Sequence, residues 1–301
     1  MTLEASSSTA RPEVDDLPKG ALYMCGAALT FAAMGALIKV ASATLPNVMV
    51  VFARNATGLA ILVPVLFLQK GPVSLATRDV PGHLLRGLAG LASMYCFFFA
   101  IAHLKLADAV LLNQSLPLFL PIVASLLLKE AVPPRLWKTL VVGFLGMALV
   151  VKPGLGVFST AALLGACSAL LAAVAQVGVR RLTRTEPVSR IVFYFSLIAT
   201  LGSALPLPFA WKTPEPKLWP VLLATGVFAT VGQVLLTKAY SSAPAARVGP
   251  FVYTGVVFAG VLDWAVWGAL PDALSVAGAG LILSAAILSL RVRPAEAVAE
   301  A

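Results

Sequence analysis

Charged residues are scarce in this sequence. Only 12% of its 301 residues are Asp, Glu, Lys or Arg, whereas 59% are hydrophobic and the mean hydropathy is +0.93. Soluble domains contain about 25% charged residues, and a soluble molecule of this size could not remove so much apolar surface from water. The composition therefore excludes an ordinary soluble enzyme, a disordered chain and a disulfide-rich secreted module, and it indicates a protein surrounded largely by lipid.

Residue types that catalyse reactions or bind metals are also rare. The two histidines, His83 and His103, lie at the ends of apolar segments on opposite sides of the membrane. The three cysteines, Cys25, Cys96 and Cys167, lack CxxC spacing and lie in apolar runs, where a free thiol behaves as a small hydrophobic group. A nucleotide-binding loop of the GxxxxGKS/T type is missing. We therefore expect no metal, no cofactor, no enzymatic activity and no direct use of ATP.

Long apolar segments are what the sequence does contain. A helix needs roughly 20 mostly apolar residues to cross the hydrocarbon core of a bilayer. Ten segments meet this requirement, at about 20–40, 47–68, 84–103, 107–128, 134–152, 159–180, 188–210, 217–238, 247–269 and 273–291. We therefore predict an all-α membrane protein with ten transmembrane helices. Residues 1–19 and 294–301 are predicted to be tails, of which the first is polar and disordered.

The loops between these segments differ in positive charge. If the N-terminus is cytoplasmic, sixteen of the 22 Lys and Arg residues fall in cytoplasmic loops and tails, among them Arg86, Arg180 and Arg247, and four fall in the opposite loops. This asymmetry follows the positive-inside rule and predicts a multi-pass protein of the bacterial inner membrane with both termini cytoplasmic. Because the basic residues alternate from loop to loop, the net charge of +9 does not indicate a nucleic-acid partner.

The two halves of the sequence resemble each other. Residues 102–143 match residues 239–280 at an offset of 137, with hydropathy and loop positions in agreement. Each half contains five predicted spans, and an odd number of crossings turns the second half upside down relative to the first. We therefore predict two inverted five-helix repeats, at residues 20–153 and 154–293, with a substrate site near the mid-plane where they meet.

Three charged residues are of particular interest in the predicted spans, where charge is costly. Lys39, near the outer end of helix 1, either receives the carboxylate or phosphate of a substrate or extends its aliphatic stem to the membrane surface. Arg54, one-third of the way into helix 2, must be paired or hydrogen-bonded, as a gate or as a structural tie. Asp263 in helix 9 is the deepest acid, and it is either a proton carrier or a helix–helix hydrogen bond.

Prolines interrupt two predicted spans at matching places. The interrupted segments carry Asn113, Gln114, Pro117 and Pro121 in helix 4 and Pro250, Phe251 and Tyr253 in helix 9. A proline frees a backbone carbonyl, which lipid cannot satisfy but a water-filled cavity can. Matching interruptions in both halves therefore indicate a transporter site, and a purely structural kink is the alternative.

Other polar and aromatic residues face either a cavity or a neighbouring helix. Gln176 in helix 6 and Gln233 in helix 8 are lone polar groups that either line the cavity or hydrogen-bond another helix. Tyr95 and Phe99 share a face of helix 3, where they either stack on a substrate or pack ordinarily. Small residues in helices 5 and 10, such as Gly146, predict close helix contacts between the repeats or in a homodimer.

Several short signals follow one another in a recognisable order. In the first half they are Lys39, Pro46, Arg54, Leu106-Ala107-Asp108-Ala109, Pro117, Glu130 after Leu126-Leu127-Leu128-Lys129, and Gly143 to Gly146. In the second half they are Lys238-Ala239-Tyr240, Gly249-Pro250-Phe251-Val252-Tyr253, and Gly268 through Pro271. Together they resemble the drug/metabolite transporter superfamily, in particular the EamA family with its two EamA-type repeats. That family usually ends helices 4 and 9 with Gly-Glu, whereas this sequence has Lys129-Glu130 and Gly268-Ala269, so one glutamate is absent.

The resemblance implies a ten-helix secondary carrier with a cavity lined mainly by helices 1, 3, 4, 6, 8 and 9. Family members export amino acids and related metabolites, release opine-type metallophores, or take up riboflavin or S-adenosylmethionine. We expect an exporter of a small polar amino-acid-like or amino-acid-derived metabolite, working by alternating access in the lipid bilayer. The first choices for substrate contacts are Lys39, Asn113, Gln114 and Tyr253.

The alternative is an importer of a vitamin or cofactor such as riboflavin or S-adenosylmethionine, which would use Tyr95, Phe99 and Phe251 for stacking. A membrane-embedded enzyme would need clustered acids, histidines or an activated nucleophile, which the sequence does not offer. A scaffold without transport would not need matching helix interruptions in the two halves.

Overall fold

The fold is known from a computed structural model that describes residues 16–68, 75–103, 112–130, 132–151, 160–268 and 272–291. These residues form helices and loops and no strand. The main helices are α1 (Leu17–Ser42), α2 (Asn47–Leu68), α3 (Val80–His103), α4 (Leu116–Leu128), α5 (Pro134–Val151), α6 (Thr160–Leu182), α7 (Val188–Ala204), α8 (Trp219–Ser242), α9 (Thr254–Trp267) and α10 (Ala273–Arg291). The prediction of an all-α fold is confirmed.

Several of these helices match the dimensions of a bilayer. Within the described ranges, five segments are long and apolar enough to cross a membrane: Leu17–Ser42, Asn47–Pro64, Thr160–Leu182, Pro216–Ser242 and Ala245–Val266. Three shorter apolar helices accompany them, at Leu116–Leu128, Val188–Ala204 and Ala273–Leu288. Short helical turns also occur at Leu207–Ala210, Pro216–Leu218 and Ala245–Val248.

Aspartate caps set the start of two helices. The Asp16 carboxylate accepts a hydrogen bond from the backbone N–H three residues later, at 3.1 Å, and Asp79 accepts one from Gly82 N–H at 2.9 Å. Such caps satisfy N–H groups that have no partner within the helix. As a result α1 begins at Leu17 and α3 at Val80, three and four residues before the starts predicted from hydropathy.

The interruptions of the fourth and ninth spans occupy equivalent positions. Helical backbone at residues 112–113 gives way to a turn at residues 114–115 before α4 begins. In the second half, a tight 3-10 turn at Gly249–Tyr253 precedes α9. Both helices then end in a left-handed residue, Lys129 with φ 54° and Gly268 with φ 69°. The two helices therefore share a start and an end despite their different sequences.

The contacts between helices are the same in both halves when each helix is replaced by the one five places away in the chain. The strongest contacts come in couples that are equivalent in the two repeats. The contact of α1 with α8 corresponds to that of α6 with α3, the contact of α2 with α8 to that of α7 with α3, and the contact of α1 with α9 to that of α6 with α4. Two further strong contacts, of α5 with α10 and of α2 with α7, are their own equivalents. Exchanging each helix with the one five places away reproduces this set of pairs. The two five-helix repeats therefore contact each other as pseudo-symmetric partners, and most of the strong contacts run between the repeats.

The last helices of the two repeats pack very closely. A Cβ atom on Gly146 of α5 would lie 2.7 Å from the carbonyl oxygen of Gly278 on α10. The close contact expected from the small residues of these helices is therefore made within one chain, between the repeats.

A hydrophobic cluster joins α1, α4, α6 and α8. Met24, Leu120, Val177 and Tyr240 are fully or almost fully buried in it. The polar groups described next are held among these same helices and their neighbours α2, α3 and α7.

Candidate substrate site at two buried arginines

Arg86 is a buried cation on the second turn of α3. Its side chain is 5% exposed, and its Nη2 donates a hydrogen bond to Gln233 Oε1 of α8 at 3.0 Å. The guanidinium carbon lies 3.9 Å from the centre of the Phe195 ring on α7, and Nη1 lies against Gly90. The Nε–H group has no hydrogen-bond partner. Arg86 is therefore desolvated but only partly compensated.

Arg54 on α2 is the second buried cation. Its Nε donates to the sulfur of Met34 on α1 at 3.2 Å, and its Nη1 lies 3.7 Å from the sulfur of Met94 on α3. Nη1 also donates to Asn55 Oδ1 at 3.4 Å. A thioether is a weak acceptor, so two of these three interactions compensate little of the charge.

The two guanidinium groups, which we call the arginine pair, lie beside the same face of α3. Arg86 contacts Gly90 and Arg54 contacts Met94, and residues four apart share a helix face. Among the described residues, no carboxylate lies within ion-pair distance of either group. An anionic ligand would supply the missing compensation.

The two predicted glutamines both bridge helices. Gln233 holds the guanidinium of Arg86 as described, so it contacts the arginine pair directly. Gln176 of α6 accepts a short hydrogen bond from the hydroxyl of Tyr240 on α8. Gln176 therefore makes a helix–helix hydrogen bond, and a substrate contact at Gln176 remains a prediction.

Asn113 belongs to a separate polar cluster. Its amide donates to Ser168 Oγ of α6 at 2.9 Å, and Ser93 Oγ of α3 donates to the carbonyl of Ser168 at 2.7 Å. Gln114 is half-buried in the turn before α4. These residues tie the interrupted fourth span to α3 and α6.

The predicted stacking residues of α3 lie on a more open surface. The Tyr95 hydroxyl donates to the carbonyl of Gly202 on α7 at 3.1 Å, and Tyr95 helps to line a pocket of about 40 Å³ together with Asn47 and Ser203. That volume holds about one water molecule. Phe99 stacks on His103, with ring centres 4.0 Å apart.

The residues of the ninth span are packed in protein. Phe251 is 3% exposed within the cluster of α1, α4, α6 and α8. Tyr253 is fully buried with Met147 and Ile282, between α5 and α10, and its hydroxyl has no hydrogen-bond partner. Both lie apart from the arginine pair, and a substrate contact at either remains a prediction.

The other predicted residues lie at helix ends and interruptions. Pro117 occupies the first turn of α4, and Pro121 lies inside it. Pro250 begins the 3-10 turn. Lys39 is exposed on the last turn of α1. Asp263 lies on α9, but its side chain falls outside the described part of the structure.

A second charged cluster lies where α4 and α6 end. Glu130, which follows α4, pairs with Arg180 at 3.3 Å and with Arg184 at 3.4 Å, both near the end of α6. Arg180 Nη1 also donates to the carbonyl of Tyr240 on α8 at 3.0 Å. We call Glu130, Arg180 and Arg184 the Glu130 cluster. It joins the first repeat to the second by a buried ion pair with Arg180 and by an ion pair with Arg184, whose side chain is exposed.

The treatment of three arginines as loop charges was wrong in one respect. Arg86, Arg180 and Arg247 are 5%, 3% and 9% exposed, because Arg86 and Arg180 lie within α3 and α6 and Arg247 lies in the short helical turn Ala245–Val248. The signal for Arg86 was available in Asp79 and Pro81, which mark a helix start and place Arg86 on the second turn. Asn55, which hydrogen-bonds Arg54, was also missed.

The described residues contain no group of three or more His, Cys, Asp or Glu that could hold a metal ion. Two buried guanidinium groups can bind an anion through charge-assisted hydrogen bonds.

Comparison with known proteins identifies the repeats. The sequence model of the EamA-like transporter family matches twice, at residues 18–152 and 159–291. The chain belongs to the EamA-like transporter family. It is a multi-pass transporter of the inner membrane, and the pseudo-symmetric contacts of α1–α5 with α6–α10 are those of two EamA repeats.

This EamA protein is similar to transporters with different cargoes. The pseudopaline exporter CntI of Pseudomonas aeruginosa is 39% identical over 285 residues, which cover 93% of this chain and 99% of the relative. The riboflavin transporter of Vibrio cholerae is 29% identical over 270 residues, covering 88% and 90%. The S-adenosylmethionine uptake transporter of Rickettsia felis is 26% identical over 241 residues, covering 79% and 81%.

A solved crystal structure also shares the fold of this EamA protein. It superimposes with a TM-score of 0.79 at 19% identity and covers 91% of this chain and 98% of the other. At that identity the likeness concerns the fold alone.

Proposed function

We propose that this transporter exports a small amino-acid-derived metabolite that carries carboxylate groups. The observation that carries the proposal is the arginine pair, two buried cations without a described carboxylate partner. A buried, unpaired charge destabilises a protein unless a ligand or partner compensates it. A carboxylate substrate supplies that compensation while it is bound.

The similarity to the pseudopaline exporter supports both the direction and the class of cargo. It extends over almost the full length of both chains at 39% identity. We propose a cargo related to opine-type metallophores, which are metal-chelating metabolites derived from amino acids.

The arginine pair argues against the importer of S-adenosylmethionine. That molecule carries a positively charged sulfonium group, which two uncompensated guanidinium groups would repel. Riboflavin is uncharged and would leave both arginines uncompensated. The relatives with these cargoes are also more distant, at 26–29% identity.

We propose that transport follows alternating access, with residues 20–153 and 154–293 moving against each other. The positive loop charges support an orientation with both termini in the cytoplasm. In that orientation the Glu130 cluster lies on the cytoplasmic side. A reporter fused to the C-terminus tests this orientation, and periplasmic activity of the reporter would contradict it.

The proposed cargo and direction are tested by comparing metabolites in cells and medium with the gene deleted and restored. We expect an anionic amino-acid derivative to accumulate in the deleted cells and to disappear from their medium. Restoring the gene should reverse both changes. Depletion inside the deleted cells, with the compound left in the medium, would show uptake and would overturn export.

A further inference from the structure

We infer that the arginine pair binds two carboxylates of one substrate molecule, one on each guanidinium group. The inference rests on the proposed function, because it concerns which anion the same site takes. It assigns to Arg54 and Arg86 the selection of a dicarboxylate head group over a single carboxylate.

The spacing of the two groups along α3 fits such a head group. Arg86 lies against Gly90 and Arg54 lies against the sulfur of Met94, one helical turn further on. Four residues of α-helix rise by ~6 Å. Two carboxylates joined through an extended linker of three atoms place their carbon atoms roughly 5 Å apart, given ordinary bond lengths. A molecule of this length spans about one turn of α3, which is the separation of the two residues that the guanidinium groups contact.

The charge balance favours two carboxylates over one. The arginine pair brings two positive charges into the protein, and no described carboxylate compensates them. A single carboxylate would leave one positive charge buried and would not remove the full desolvation cost. Two carboxylates neutralise both charges and form two charge-assisted contacts.

The present partners of the pair can be replaced by a ligand. Arg54 is held by two thioether sulfurs and one amide, and Arg86 by one amide and the face of Phe195. The Nε–H of Arg86 is buried without any acceptor. Carboxylate oxygens are stronger acceptors than these groups, so substrate binding improves the hydrogen bonding of both side chains.

The same surroundings disfavour a free amino acid. Its α-ammonium group would lie beside two guanidinium groups, and the described contacts of the pair include no acidic side chain to receive it. A substrate whose amine bears a second carboxylate arm brings additional negative charge to the same position.

The test uses the full-length protein in proteoliposomes with two matched probes. One probe is N-(1-carboxyethyl)alanine, and the other is the same molecule with one carboxylate replaced by a carboxamide of the same shape. The measured quantity is the ratio of their initial uptake rates. We expect the wild-type protein to favour the dicarboxylate by roughly tenfold or more, because hydrogen bonds to charged groups contribute more than neutral ones. Equal rates, or no uptake of the dicarboxylate, would overturn the inference.

Substitutions then assign the preference to the two arginines. Arg54→Gln and Arg86→Gln should each reduce the ratio several-fold, whereas Arg247→Gln, at another buried arginine, should leave it unchanged. Arg86→Lys keeps the positive charge but loses the planar guanidinium group that can donate two parallel hydrogen bonds to a carboxylate. It should therefore lower the ratio less than Arg86→Gln does. It also provides a readout if Arg86→Gln does not fold. A ratio that stays at the wild-type value in the folded Arg54 and Arg86 variants contradicts the assignment.

This experiment and the metabolite comparison can fail separately. If gene deletion shows export but the purified protein treats both probes alike, the dicarboxylate assignment is wrong and the proposed function stands. If the protein prefers the dicarboxylate probe but deletion leaves the metabolites unchanged, the proposed function is wrong and the assignment stands.

Discussion

Buried charges in this transporter fall into two groups that differ in their partners. Arg180 is paired with Glu130, so both ends of that ion pair are compensated within the protein. Arg54 and Arg86 have only amide, sulfur and aromatic partners among the described residues. Paired charges hold helices together, whereas charges without a carboxylate are available to a ligand. This difference in partners separates the structural arginines from those assigned to the substrate.

Glu186, in the loop between α6 and α7, should make stability depend on pH. Burial alone would raise the pKa of the Glu186 carboxyl, but hydrogen bonds from Thr77 and Arg190, together with the charge of Arg190, lower that pKa below its ordinary value. A lowered folded-state pKa stabilises the fold above the unfolded-state pKa of about 4.3, and this stabilisation is lost as pH falls through the folded-state value.

We therefore expect Glu186→Gln to lower the thermal midpoint at pH 7 and to have progressively less effect below about pH 4. Thermal unfolding of the purified protein over this pH range measures the difference from wild type. Glu215→Gln is the control, because that carboxylate is exposed in its ion pair with Lys217 and water screens it. A Glu186 effect that is constant with pH would contradict the prediction.

Lys129 adopts a backbone conformation that suits glycine. Its φ of 54° lies in the left-handed region at the end of α4, where a side chain costs about 1 kcal/mol. Lys129→Gly should therefore raise the free energy of unfolding by about 1 kcal/mol. Lys138→Gly, on the exposed face of α5, should lower it by about 1 kcal/mol. Denaturant unfolding of both variants checks the opposite signs.

The sequence predicts some of these residues better than others. Arg54 was predicted as a buried polar group because it lies well inside an apolar segment. Arg86 was not, because hydropathy alone does not locate a helix start that is set by the Asp79 cap. The partners Met34 and Met94 could not be predicted at all, because a methionine in an apolar helix gives no sign of the cation it will contact.

At the scale of helices, hydropathy locates the apolar segments, whereas prolines and residues with left-handed backbone mark where the helices within those segments begin and end. Hydropathy predicts one continuous helix over residues 247–269, whereas the structure has a 3-10 turn at Gly249–Tyr253 before α9. The proline at 250 predicts this interruption, because it lacks the N–H group that a continuous helix would use. The partners of the interrupted segment depend on tertiary packing, which is why Tyr253 lies between α5 and α10.

The contact between α5 and α10 should depend on one glycine. A Cβ on Gly146 would approach the carbonyl oxygen of Gly278 to 2.7 Å, and backbone on both sides leaves little room to adjust. Gly146→Ala should therefore lower the thermal midpoint. Gly280→Ala is the matched control on α10, because nothing lies within 4 Å of its added Cβ, and it should stabilise the helix by about 0.5–1 kcal/mol. Equal effects of the two substitutions would show that the close contact is unimportant.

For the molecule as a whole, the pairing of helices shows that the two repeats depend on each other for their packing. Most strong contacts join one repeat to the other, so neither repeat packs a complete core alone. The repeats and their inversion could be predicted from the odd number of spans in each half. The specific pairs, such as α1 with α8, could not be predicted, because almost any apolar helix can pack on another.

The Glu130 cluster should stabilise the contact between the repeats. Glu130→Gln leaves the buried Arg180 without its carboxylate, and breaking a buried ion pair costs about 3 kcal/mol. Arg184→Gln should lower the free energy of unfolding much less, because the Arg184 side chain is 42% exposed and the ion pair between Glu130 and Arg180 remains. Unfolding of the two variants in the same detergent measures the difference. Similar losses would show that Glu130 acts mainly through the exposed arginine.

The position that Glu130 occupies at the end of the fourth span is taken by Ala269 at the matching end in the second repeat, where the sequence reads Gly268-Ala269. The matching helix ends of the two repeats should therefore be held in place by different interactions, although the repeats are related by pseudo-symmetry. Ion pairs weaken as salt is added, whereas apolar contacts do not. Added salt should therefore weaken the Glu130–Arg184 pair, whose arginine is exposed, more than the buried Glu130–Arg180 pair, and it should loosen this helix end more than the matching end of the second repeat.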